Sequence, residues 1–483
     1  MDFTPAADGG APSRCPMHGA DFAAAPHDVY DALRARGPAG PVELAPGVEA
    51  TLVVGHEAAL RVLQNSTLFA RDSRHWSALR EGRIAPDSPV LPMMMFRPNC
   101  LFTDGAEHLR LRKAVTDSLD AVDGRQLARD VRNMADFLID RFSERGRADL
   151  LNEYGKVLPL LVFNKLFGCS ADIGDRLTRS MAAIFEGRDA IQADRELTEC
   201  LMELVALKRR DPGDDLTTRL VQHPAGLSDT ELKDQLVMLM GAGVEPERNL
   251  IGNTVLLMLS PEGSGLLIEE AMEHVLWDDP PIANYATHFP KQDVDLAGVH
   301  LPAGSPVVIS FAGANADPAL TQARRSRSQG AHLSWGAGPH KCPASSPAQV
   351  IALTAVEKLF NELDDLALDV PVEDLEWRQG PFHRALASLP VRFSPSAATR
   401  VAAVTGHRPL PPTTPRPRPA DRRRAAGRAG PQEGILGLLP GRLPPLNDHW
   451  HVTRATAGTG VRPRQAWVGS AGIRFRNQKE EQG

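Results

Sequence analysis

The chain has 483 residues, 42% hydrophobic and 24% charged, enough apolar material for a large buried core. No long uncharged apolar run occurs. The richest stretch, 236–259, is broken by Glu245, Pro246, Glu247 and Arg248, and the N-terminus lacks the basic start and apolar run of a secretion signal, so a cytoplasmic protein without a membrane span is expected. The net charge of −6 hides an asymmetry: residues 396–483 carry 15 Lys and Arg against 5 Asp and Glu (net +10), and the remainder carries 39 against 55 (net −16).

In chain order, residues 1–19 read as a flexible leader in which the Cys15-Pro-Met-His18 cluster is incidental. Apolar residues at i, i+3 and i+4 predict helices over 28–36, 56–64, 123–145, 195–210 and 228–259. Strands are predicted at 50–55, at 294–311 as strand, turn, strand with Pro302 and Gly304 in the turn, and at 388–393. Residues 409–430 are rich in Pro, Arg, Ala and Gly without either periodicity. Such a segment buries too little apolar area to offset its ordering entropy, so 395–483 reads as a disordered basic tail. A nucleic-acid arm is the alternative, disfavoured because aromatic interleaving and a recognition helix are missing. No internal repeat and no glycine-rich loop between strand and helix occur, which argues against a solenoid and a dinucleotide fold.

Five cysteines stand far apart with no CxxC pair, so neither a disulfide framework nor a zinc ribbon is indicated. Cys100, Cys169 and Cys200 read as small buried hydrophobes. Cys342 stands apart. It follows Gly336 and Gly338, which allow tight turns and close approach to a flat ligand, and it precedes a helical pattern from about Pro347 to Phe360. A cysteine at a helix mouth, beside His340 and Lys341, is placed to become a thiolate. A soft anionic sulfur is a good axial ligand for haem iron.

The stretch Trp335-Gly-x-Gly-x-His340-x-Cys342 resembles the haem-binding loop of the cytochrome P450 family, with Trp335 where Phe is usual and Ala344 where Gly is usual. Three other segments resemble the family in the right order. In 102–115, His108 and Arg112 lie at i and i+4, and the resemblance implies that they meet the haem propionates. In 236–259, Ala242, Gly243, Val244 and Glu245 match the distal helix pattern, where small residues leave room for dioxygen; Pro246 replaces its Thr. In 268–290, His274 and Trp277 occupy the positions of the usual Glu-x-x-Arg ion pair, and His288 falls where a third propionate donor, usually Arg, is found. Some actinobacterial members share the unusual Trp.

The resemblance covers about 20–394. It implies one mainly helical haem domain with a small β-rich part, in place of the three domains that length alone suggests. It implies haem b ligated by Cys342, with Trp335, Gly336, Gly338 and His340 shaping the loop. It further implies a monomeric bacterial monooxygenase that takes electrons from ferredoxin and its reductase and oxidises an apolar small molecule. Glu245 is either a proton donor acting through water or an ion-paired carboxylate, with equal weight. Pro246 removes a helical N–H bond and offers no hydroxyl, so the helix should kink and open a groove beside Gly243. Proton delivery then falls to Glu245, Glu247 or the substrate, or else oxygen activation suffers. The run Leu91 to Phe96 reads as core or as a substrate roof. Two alternatives stay open: a haem-binding protein without turnover, and a peroxide-driven oxygenase.

Overall fold

The computed structural model describes residues 14–185, 190–322 and 331–397. The tail expected at 395–483 lies outside the described residues from 398 onward.

The seven helices that position the site are α1 (His56–Gln64), α2 (Gly105–Asp120), α3 (Gly124–Ile139), α4 (Val157–Phe167), α5 (Asp229–Leu259), α6 (Ile268–Asp278) and α7 (Ser345–Glu362). Local chemistry sets their ends. Asp123 Oδ1 accepts the backbone N–H of Arg125 at 2.8 Å and so starts α3. Ser228 and Glu231 form a reciprocal capping box that starts α5. Gly168, at φ 68°, closes α4. The predicted helix 123–145 ends early, at Ile139. A separate turn over Ser143–Arg145 follows, and Gly146 at φ 68° leads out of it.

Helix α5 packs on α4, α6 and α7 and runs through the largest apolar cluster, where Leu250, Ile251 and Val255 meet Leu158, Leu276 and Ile351. A helix covered on several sides shows no single apolar stripe, and even Glu245, Glu247, Arg248 and Asn249 near its centre are buried.

A six-stranded sheet has the order β1-β2-β3-β9-β6-β4. Its members are β1 (Cys15–Pro16), β2 (Ala39–Ala45), β3 (Val48–Val53), β4 (Phe69–Ala70), β6 (Asn284–Pro290) and β9 (Val307–Ser310). A three-stranded sheet joins β5 (Arg147–Asp149), β10 (Ala367–Leu368) and β11 (Pro390–Arg392). The predicted two strands within 294–311 are three. An extra hairpin pairs β7 (Val294–Leu296) with β8 (Val299–Leu301) through Ala297 and Gly298, both at positive φ.

The leader boundary at residue 19 also moves. Cys15 pairs with Val42, Met17 is fully buried, its N–H donates to the carbonyl of Glu43 at 2.8 Å, and His18 lies 3.5 Å from Glu43. The Cys15-Pro-Met-His18 cluster is therefore a sheet edge with an apolar anchor. Four residues are too few to show strand periodicity by themselves.

Candidate haem site

The loop 332–344 folds back on itself through three backbone bonds: Gly336 N–H to Leu333, Lys341 N–H to Gly338 and Cys342 N–H to Trp335, at 2.7, 3.1 and 2.8 Å. Gly336 and Gly338 are both at φ 69°. At Gly338 a side chain is excluded twice over, since a Cβ would also stand 2.3 Å from the carbonyl oxygen of Leu63 at the end of α1. The loop is thus pressed onto α1, and the half-buried residue Cys342 emerges from it three residues before α7. The sequence suggests a thiol ionised by the loop's own field. Instead, burial pushes the Cys342 thiol up, against the opposing pull of the Ala344 N–H, Arg112 and Lys341. Metal coordination deprotonates a thiol outright, so haem iron held by Cys342 would draw that proton off.

Donors converge beside this loop. His108 and Arg112 come from one face of α2. Arg112 donates to the Lys341 carbonyl, and its Nε donates to Thr116 at 3.2 Å. The rings of His108 and His340 stack 4.0 Å apart, and His340 Nε2 lies 3.0 Å from the carbonyl of Thr103. His288, buried on β6, lies within 2.5 Å of the Ala286 carbonyl through Nδ1. Burial, helped by Arg71, holds His288 neutral, down to about 3. Burial likewise pushes His108 down, Arg112 adding to it. His108 Nε2 is buried with no hydrogen-bond partner among the described residues, as is Trp335 Nε1. Arg71, which the sequence reading missed, lies in the same cluster.

On α5 the expected residues separate. The helix is continuous through Pro246. Ala242 is exposed, while Gly243 faces α4: a Cβ there would stand 2.1 Å from the Phe163 ring. The expected groove beside Gly243 is therefore filled by Phe163, and the glycine serves helix packing. Glu245 is buried and accepts from Arg378 and, at 3.3 Å, from Arg248. Burial alone would raise its carboxyl, but Arg378, Arg248 and His383 outweigh that and hold it below its ordinary value. Of the two roles left open for Glu245, the geometry favours the ion pair. Glu247 has the opposite environment. It is buried, its Oε1 has no partner among the described residues, and burial pushes it well above the carboxylate range.

The paired positions of α6 are also rearranged. Trp277, fully buried, donates its indole N–H to Glu273 at 3.2 Å, one residue before the expected His274. His332, at the head of the cysteine loop, accepts the Ser334 N–H at Nδ1 (3.2 Å), which leaves Nε2–H directed at Glu273, 3.6 Å away. Its ring packs edge-on against Trp277 at 5.7 Å. Asn315 and Ser334 complete the link, both donating to the carbonyl of Leu276. Trp277 and His332 thus both direct N–H groups at the Glu273 carboxylate, which ties α6 to the loop. The i, i+4 spacing of Glu273 and Trp277 was the available signal.

No family model matches the chain. The cytochrome P450 monooxygenase PikC of Streptomyces venezuelae is 32% identical over 398 residues, covering 78% of this chain and 92% of PikC. The chain belongs to the cytochrome P450 family. Cytochrome P450 107B1 of Saccharopolyspora erythraea is 30% identical, over 77% of this chain and 96% of its own. Among solved structures, the P450 CYP154C4 from Streptomyces sp. ATCC 11861 aligns with a TM-score of 0.71 at 26% identity, covering 79% of this chain and 99% of its own. CYP154A1 of Streptomyces coelicolor A3(2) aligns at 0.67 and 27%, over 78% and 100%. The expected mainly helical P450 fold is therefore correct, and the enzyme is an oxidoreductase. P450s hold haem b, and the residues present fit it: a thiol on a glycine-shaped loop, with a buried His108 Nε2 that has no partner among the described residues and two arginines beside it. Among the described residues no helix is long and apolar enough to cross a membrane.

Proposed function

We propose that this P450 inserts one oxygen atom from O2 into an apolar small molecule, with electrons from a ferredoxin and its reductase. The observation that carries the reading is the Cys342 thiol on its glycine-shaped loop, facing the His108 and Arg112 donors. Cys342 would ligate the iron, and His108 and Arg112 would meet the propionates. Bound haem b supplies the redox chemistry that activates oxygen. The exposed Lys341 and half-buried Arg112 lie on the cysteine side and give a small acidic ferredoxin a cationic face. Glu247 is kept neutral by burial, while the ion-paired Glu245 ties α5 to the C-terminal segment that carries Arg378. Relatives are named for different substrates, among them 6-deoxyerythronolide B and nocardicin C, so the reading stops at an apolar small molecule. It places the protein in the cytoplasm, as a monomer without a nucleic-acid partner.

Pro246 supports a second reading, oxygenation driven by peroxide, which needs no proton relay. Product formation with reduced ferredoxin, with peroxide and with neither separates the two, and no product under any condition points to haem binding without turnover. Cys342→Ala must abolish the thiolate signature of the ferrous–CO spectrum; an unchanged spectrum refutes the assignment. Pro246→Thr should raise the share of electrons recovered in product over peroxide.

A further inference from the structure

Arg71 directly follows β4. The antiparallel register of β4 and β6 pairs Phe69 with Pro290 and Ala70 with Phe289, and one step further sets Arg71 opposite His288. Residues directly opposite in an antiparallel pair point to the same side. Position 288 is where the resemblance places the third propionate donor, and here it carries a buried histidine tied to its own strand through Ala286. The cation is present, but on the neighbouring strand.

The Arg71 side chain is 3% exposed. Its Nη1 donates to the carbonyl of Thr287 at 2.6 Å and its Nε to that of Leu101 at 3.4 Å. It forms no ion pair among the described residues. The Asp104 carboxylate instead accepts the backbone N–H groups of Arg71 and Asp72 at Oδ2, at 2.9 and 3.2 Å. A guanidinium out of water without a counter-charge is strongly unfavourable, and backbone carbonyls compensate only in part. Around it stand His108, His288 and His340, which cannot serve as anions. The Tyr285 ring, 5.7 Å from the guanidinium carbon, adds a weak cation–π contact, but no carboxylate pairs with this buried arginine at the edge of a site for a dicarboxylate. Arginine also suits that ligand by geometry, since its planar fork matches two oxygens.

We infer that Arg71 is a propionate-binding residue of this P450, supplying from β4 the guanidinium that the family usually supplies from the position of His288. This rests on the haem reading above. The test uses the full chain with Arg71→Met, which keeps the apolar stem without the charge, and Arg71→Lys. Holoprotein is mixed with an excess of haem-scavenging apoglobin, and loss of iron protoporphyrin IX is timed. Arg71→Met should lose it about 10- to 100-fold faster than the unsubstituted chain, with Arg71→Lys between, as for a lost charge-assisted bond. The chains are then refilled with the dimethyl ester of iron protoporphyrin IX, whose carboxylates are masked. Against this probe the variants should match the unsubstituted chain within about twofold.

Faster loss confined to the free acid supports the proposal. Equal acceleration with both porphyrins makes Arg71 a support of the fold and overturns it, as does no acceleration with either. If Arg71→Met fails to accumulate as holoprotein, Arg71→Lys is read by the same pair of measurements with the same criteria. Failure of the haem reading itself is separately visible, because the unsubstituted chain would then show no thiolate signature dependent on Cys342.

Discussion

Replacing Trp277 by Phe tests how the cysteine loop is held. The change removes the indole N–H that Glu273 accepts at 3.2 Å and leaves part of a fully buried site empty. Losing a hydrogen bond to a charged group costs about 1.5–3 kcal/mol. The missing part of the ring adds roughly 1 kcal/mol of cavity. The sum, about 2.5–4 kcal/mol, should appear as a lower denaturant midpoint of the holoprotein. It should come with a smaller fraction showing the thiolate signature, because His332 shares the same carboxylate and heads the loop that ends in Cys342. The sequence reading, pairing position 277 with His274, makes Trp277→Arg a buried unpaired charge; with Glu273 one turn away, that variant should be better tolerated than Trp277→Leu. If Trp277→Phe changes stability by less than about 0.5 kcal/mol with full haem content, the indole bond contributes nothing and the account of the loop fails.

Glu247→Gln should change the pH dependence of stability. Its carboxyl is protonated in the fold and ionises near pH 4.3 when unfolded, so above that pH the unfolded chain binds fewer protons and this group lowers stability by about 1.4 kcal/mol per pH unit until its folded value is reached. The amide should remove that slope in denaturant titrations between pH 5 and 8; an unchanged slope would show that Glu247 is not held neutral. Gly338→Ala should prevent haem retention at an expected loss of about 3 kcal/mol or more, from positive φ and the clash with Leu63 together, read by haem content after purification. Deleting residues 398–483 should leave haem content and melting temperature nearly unchanged, because its composition lacks core-forming periodicity; a large drop in either would show that the tail supports the domain.

Much of this protein was legible in one dimension. The glycines and Cys342 lie within seven residues, so the turn, the close approach and the thiol could be read together. His108 and Arg112 are one helical turn apart, and spacing alone puts them on one face. Helix ends at Ser228 and Asp123 follow from side chains bonding to backbone two or three residues away. What the sequence left open depended on distance through space. Glu245 and Glu247 are near neighbours on one helix, yet one meets Arg378, which stands 133 positions later, and the other is buried against Ala352 of α7, so their proton affinities move in opposite directions. Gly243 read as room for a ligand until Phe163 of α4 was seen against it. Arg71 carries no motif at all, and only the β4–β6 register brings it to His288. Local spacing determines which groups share a helix face or a turn. The charge a buried group carries, and what it recognises, depends on the atoms that replace water around it, and tertiary packing chooses those.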